Sequence, residues 1–157
     1  LDEAGVDGLT MKELAGDLGV TTMALYRHVD DKENLLALAL DAILVEIAPP
    51  EQVLALSHYS RDAASSSIPS ATAKRYGVTG GTAEEVIATQ PDLVLASIFL
   101  PQPTRSALER AGLRVETFPI DASFADIRAS ILRMGALLGR VVAQVLFHAR
   151  DLLQLLR

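Results

Sequence analysis

Near the start of the chain, hydroxyl, phenol, imidazole and ammonium groups gather in a short span. They are Thr10, then Tyr26 and His28 within GVTTMALYRHV (19–29), then Lys32. Each of these groups donates hydrogen bonds to phosphate oxygen. Catalytic chemistry is harder to assemble. The three histidines, His28, His58 and His148, stand far apart, in neither the HxxxH nor the HExxH spacing of a zinc site. Cysteine is absent, which removes disulfides, thiolate metal sites and a cysteine nucleophile. TGGTAEE (79–85) is a glycine turn before a helix, with neither G-x-G-x-x-G nor a P-loop lysine, and no G-x-S-x-G appears. The expectation is a chain that is not an enzyme and that uses no cofactor and no metal.

The elements that must position the phosphate donors are legible from their caps. Thr10 followed by Glu13 is a capping box that opens a helix over MKELAGDL, and Gly19 stops it. Thr21 or Thr22 then caps a second short helix, TMALYRHV, and Asp30 with Glu33 repeats the box for a third helix beginning near Asp31. Leu9, Leu14, Leu18, Val20, Leu25 and Val29 are spaced to meet inside this module. Two short helices around a tight glycine turn form a helix-turn-helix pattern, and small side chains at 22–24 let the second helix approach a major groove closely. Charge works against this use: residues 1–47 hold ten acids and three bases, so the cations must be concentrated on one face.

DEAGVDGLTMKELAGDLGVTTMALYRHVDDKENLL resembles the DNA-binding domain of the TetR family of bacterial transcriptional repressors. The resemblance rests on the G-L-T opening, the L-A-x-x-L-G-V turn, the A-L-Y-x-H-V helix and the lysine that follows. It implies that Thr22, Met23 and Ala24 meet base edges, that Thr10, Tyr26 and His28 face phosphates, and that Lys32 donates to a phosphate. It also implies duplex DNA as partner and action as a homodimer, since one short recognition helix covers few base pairs. Of the family's first helix, only LDEA is kept.

From about Pro49 the pattern changes to short β-type runs, VLAL (53–56), DLVLAS (92–97) and LRVETF (113–118). Between and after them come helical stretches at 82–89, 104–112 and from Ser123 to Gly139, while AASSSIPSATAKRYG reads as a long surface loop. Apolar strands alternating with helices predict an α/β fold with a small three-stranded parallel sheet flanked by helices.

APPEQVLALSHYSRD, GGTAEEVIATQPDLVLAS, TRSALERAGLRVETFP and SFADIRASILRMGALLGR together resemble the N-terminal lobe of the periplasmic substrate-binding proteins of ABC importers for iron chelates and cobalamin. By that resemblance Ser57, His58, Tyr59 and Arg61 line a ligand cleft after the first strand, and Phe99 and Leu100 after the second. A metal chelate or corrinoid is the implied ligand, and Glu84 stands where such lobes present a carboxylate to a permease. The loops beyond strand C-termini are also where open α/β sheets place ligands on general grounds.

Residues 31–48 carry both resemblances. Leu35, Leu36, Leu38, Leu40, Ile43, Leu44 and Ile47 make this helix apolar nearly all round, with polar relief only at Asp41 and Glu46, so it must be buried on several sides. The expected organisation is a TetR-like module over 1–47 and an α/β lobe over 48–157, closed by a packing helix in RVVAQVLFHARDLLQLLR. The expected function is a DNA-binding regulator whose α/β body senses a small ligand. The alternatives are a substrate-binding lobe of importer type and an artificial mosaic with no evolved task. No apolar run reaches the roughly 18 residues of a membrane span, and LDEAGVDG is acidic where a signal peptide would be basic and then apolar. The expected location is cytoplasmic, with a periplasmic protein shorn of its leader as the alternative; a start at Leu1 fits a processed form or a fragment.

Overall fold

A computed structural model describes residues 10–27, 30–119 and 124–140. The expected core residues Leu9 and Val29, and the C-terminal packing helix after Arg140, lie outside the described residues.

The chain opens with α1 (Met11–Asp17), whose N-cap Thr10 and Glu13 form the reciprocal capping box that the spacing demands. The helix ends at Leu18, and Gly19 follows at φ 67°, a left-handed conformation that glycine adopts without a Cβ penalty. Thr21 caps α2 (Thr22–Leu25) by accepting from the Ala24 N–H. The cap of α3 (Lys32–Ile47) is Asp31, accepting from Asn34 N–H at 2.8 Å, in place of the expected Asp30 with Glu33. A one-residue shift satisfies the same orphan N–H groups, so the helix starts where expected but on a different carboxylate.

The α/β part follows in the order β1 (Ala55–Ser57), α4 (Ser70–Ala73), β2 (Gly77–Thr79), α5 (Ala83–Ala88), β3 (Leu93–Ser97), α6 (Gln102–Arg110), β4 (Arg114–Phe118) and α7 (Phe124–Leu137). The α/β class is as expected, but the single three-stranded sheet is corrected. Among the described residues there are two separate parallel pairs, β1 with β2 and β3 with β4. The strand missed by sequence reading, β2, is only three residues long and lies at the end of the stretch expected to be surface loop. Within that stretch Ile68, Ala73 and Tyr76 are buried against Val53 and Leu56, so the segment is held by a core that only the fold creates. Gly77 is required there because a Cβ would sit 2.7 Å from the Leu54 carbonyl oxygen, to which its own N–H is bonded at 3.0 Å.

α3 is unbroken and carries side chains into every core cluster. Leu38 and Leu35 pack with Met11, Ala15 and Leu25 of the first two helices. Leu40 and Ile47 pack with Phe118 and Met134, Ile43 reaches Ile131, and Leu44 and Val45 lie against the cluster of Val53, Leu56 and Tyr76. Asp41, read as solvent relief on this helix, is instead buried at 8 % exposure. Leu18 and Val20, read as interior, are 60 % and 45 % exposed and stand outside the cluster of Met11, Ala15, Leu25 and Leu38.

Phe118 is 1 % exposed and joins β4 to both α3 and α7, with the Arg133 guanidinium 4.7 Å above its ring. Phe118→Ala is expected to cost about 3–5 kcal/mol, the range for emptying a buried aromatic site. Urea unfolding followed by far-UV circular dichroism checks this; a loss below about 1 kcal/mol would show that the α3, β4 and α7 contact is not a core.

Candidate nucleic-acid interface and ligand cavity

On the first two helices the groups suited to DNA lie outward. Met23 is 71 % exposed and Tyr26 is 45 % exposed, while Thr22 and Ala24 are half-buried on the same short helix. Thr10 is exposed, and its hydroxyl oxygen accepts from Glu13 N–H at 3.1 Å as part of the helix cap. Lys32 sits in the first turn of α3, half-buried. His28 lies outside the described residues. The tight turn that sets α2 against α1 is fixed by backbone: Val20 N–H donates to Ala15 O, and Gly19 N–H to Gly16 O.

The acidic excess of this segment is partly absorbed by the helices themselves. The Glu13 carboxylate accepts from Thr10 N–H at 2.7 Å, and this bond, the Thr10 hydroxyl and the charge of Lys32 hold its pKa below the ordinary value. Asp31 is likewise engaged at the start of α3. Carboxylates at helix N-termini answer the local dipole, so these two are not simply a repulsive face for phosphates.

The ligand residues expected in the α/β part divide into two groups. Ser57, His58, Tyr59 and Leu100 border one cavity of about 810 Å³, which reaches from α3 across β1 to β3. Arg61 and Phe99 are not among its lining residues. Arg61 donates from Nη2 to the Tyr76 carbonyl at 2.7 Å and so ties the turn after β1 to the start of β2; Phe99 is 36 % exposed. Glu84 is exposed in the first turn of α5, while its neighbour Glu85 accepts from Gly80 N–H. The rings of His58 and Tyr59 lie 3.9 Å apart between centroids, tilted by 39°. Tyr59 also packs on the Met11, Ala15, Leu25 and Leu38 cluster, and burial together with the acids Asp31, Glu33 and Asp30 pushes its phenol pKa up.

Asp41 is the residue of this site that sequence reading missed. Its carboxylate accepts from Ser57 N–H at 3.1 Å and from Ser57 Oγ at 2.5 Å, bracing α3 against β1 on the cavity wall. Only its position on an apolar helix face hinted at burial. Desolvation raises its pKa to about 6, overcoming the Ser57 hydrogen bonds and the nearby His58, which lower it. A second, smaller cavity of about 230 Å³ lies between α1, α3, β4 and α7, lined by Met11, Leu36, Ile43, Phe118 and Met134. Among the described residues no cluster of histidine and carboxylates could hold a metal ion, and no helix is long and apolar enough to cross a membrane.

Asp41 makes stability depend on pH with a definite sign. Its folded pKa, about 6, exceeds the ordinary 3.8, so the stability it contributes is fully present below 3.8 and is lost as pH rises through about 6. Ionising it in place costs about 3 kcal/mol at the full shift. The stability of Asp41→Asn relative to the parent is therefore expected to rise by about that amount between pH 4 and pH 7. Urea unfolding of both proteins across this range measures the difference, and a difference that stays flat would mean that Asp41 titrates as if exposed.

Comparison with known proteins divides the chain as its elements do. Residues 1–39 match the family of bacterial regulatory proteins called the tetR family. The HTH-type transcriptional repressor DrrR1 of Streptomyces coeruleorubidus is 48 % identical over 42 residues, which is 27 % of this chain and 16 % of that one. The class D tetracycline repressor of Escherichia coli is 49 % identical over 47 residues, 30 % of this chain and 20 % of that one. In structure, the chain is similar to an ABC transporter substrate-binding protein from Listeria monocytogenes EGD-e, with a TM-score of 0.55 at 20 % identity, covering 74 % of this chain and 43 % of that one. The chain thus spans a fifth or less of these repressors and under half of the binding protein. None of these relatives is an enzyme by its name. The chain is thus similar in sequence to the tetR family over residues 1–39, and in fold, over 74 % of its length, to an ABC transporter substrate-binding protein.

Proposed function

We propose that the chain is a DNA-binding transcriptional regulator of TetR type. The observation that carries this reading is the coincidence of the family match over residues 1–39 with a helix pair whose caps and glycine turn leave Met23 and Tyr26 facing outward. Thr22, Met23 and Ala24 meet base edges, and Thr10, Tyr26, His28 and Lys32 hold the phosphates on either side. A homodimer supplies the second half-site, as one four-residue helix reads too little DNA alone. The α/β body then senses a small ligand at the mouth of the larger cavity, where Ser57, His58, Tyr59 and Leu100 converge. Tyr59 supports this coupling, since it borders that cavity and packs on the helix-turn-helix core. A metal chelate or corrinoid is the ligand class that the sequence resemblance of residues 49–140 to iron-chelate and cobalamin binding proteins suggests, with the cytoplasm as the place of action.

Duplex DNA binding is expected to weaken linearly in log salt, and Lys32→Ala to bind more weakly with a salt slope reduced by about one phosphate contact. Fluorescence anisotropy with labelled duplexes over a salt series measures both; absent or salt-independent binding rejects the reading. For the body, titration with corrinoids and ferric chelates is expected to quench tyrosine fluorescence saturably, an effect diminished in Tyr59→Phe. A linear, unsaturable response would remove ligand sensing from the proposal.

A further inference from the structure

The two strand pairs leave a slot between them. Leu54 O accepts from Gly77 N–H, so by the alternation of a parallel ladder Leu54 and Leu56 turn their backbone groups to β2, and Ala55 and Ser57 turn theirs the other way. Ile98 N–H donates to Phe118 O, so Val94 and Ala96 face β4, and Leu93, Leu95 and Ser97 face away from it. Ala55 and Ser57 of β1 and Leu93, Leu95 and Ser97 of β3 all border the same cavity, and no described strand lies between them. One of these outward groups shows what the slot demands: Ser57 N–H takes the Asp41 carboxylate as the acceptor that a neighbouring strand would otherwise supply.

We propose that this slot binds an extended apolar segment of another polypeptide, which adds a strand between β1 and β3. Two facing rows of backbone donors and acceptors are matched by an extended main chain and by few other ligands. Size agrees: a five-residue strand, at its normal rise, strand spacing and sheet thickness, fills about 800 Å³, against a cavity of about 810 Å³. The half-buried Leu44, Leu95 and Leu137 make part of the lining apolar, which selects alternating aliphatic side chains. On the exposed rim Glu33, Glu51 and Asp92 outnumber Arg114, so the partner carries basic residues at its ends. This occupancy does not depend on DNA reading, and it and the small ligand proposed at Ser57, His58, Tyr59 and Leu100 exclude each other because both use this cavity.

The test uses the full chain and the peptide acetyl-KVVAVVK-amide, with amide hydrogen exchange read by NMR. Binding is expected to saturate at one peptide per chain and to slow exchange at Ala55, Leu93 and Leu95 at least tenfold, with Leu56 and Val94 unchanged. A peptide N-methylated at alternate residues, and one with glutamates in place of the lysines, are each expected to bind at least tenfold more weakly. Four outcomes overturn the proposal: unchanged exchange, equal binding of the N-methylated peptide, slot amides already protected in the dilute free chain, or protection that grows with protein concentration alone. The last two would assign the slot to the chain itself or to a second copy. All four leave the salt dependence of DNA binding as a separate result.

Discussion

Everything in this molecule hangs on α3 being buried from several directions. Sixteen residues from Lys32 to Ile47 present apolar side chains around most of the helix circumference, and such a helix has no stable place at a surface. One side closes the small core of Met11, Ala15 and Leu25, another meets Phe118 and Met134, and a third lies on Val53 and Leu56. The first two helices and the cavity-bearing strands therefore share a wall. Anything that shifts the helix on one side is felt on the other, because close-packed side chains transmit displacement instead of absorbing it.

Two polar contacts refine that shared wall. Asp41 fixes the height of α3 against β1 through both the backbone and the hydroxyl of Ser57. Tyr59, two residues after Ser57, packs on the core of the first helices. A carboxylate in this setting is costly when ionised, and its presence in an otherwise leucine-lined place is the least economical feature of the core. Its position on the wall of the larger cavity, facing the slot side of β1, gives the feature a reason: it satisfies an N–H that the split sheet leaves without a strand.

The local devices of the first helices were legible in detail. Thr10 with Glu13, Gly19 and Thr21 each act within three or four residues of chain, and the structure uses each of them. Of the residues expected to meet DNA, Thr22, Met23 and Ala24 share α2 with Tyr26 at its C-cap, while Thr10 caps α1 and Lys32 opens α3. Of the cavity residues, Ser57, His58, Tyr59 and Leu100 come together while Arg61 turns to the Tyr76 carbonyl and Phe99 stays outside. A guanidinium in a loop reads the same in sequence whether it awaits a ligand or ties down its neighbour; only the position of the Tyr76 carbonyl decides.

By itself the sequence determined the order and type of the elements other than α4 and β2, the capped helix pair with its glycine turn, and the need for one long helix to be covered on several sides. These follow from interactions between near neighbours and from periodicity, which any stretch of chain carries within itself. Tertiary structure alone decided that the strands form two pairs, that Asp41 is buried, that Ile68, Ala73 and Tyr76 pin the stretch before β2 to a core, and that Leu18 and Val20 lie exposed. Those outcomes depend on which distant surfaces meet, and a strand's partner or a carboxylate's solvent is set by residues dozens of positions away.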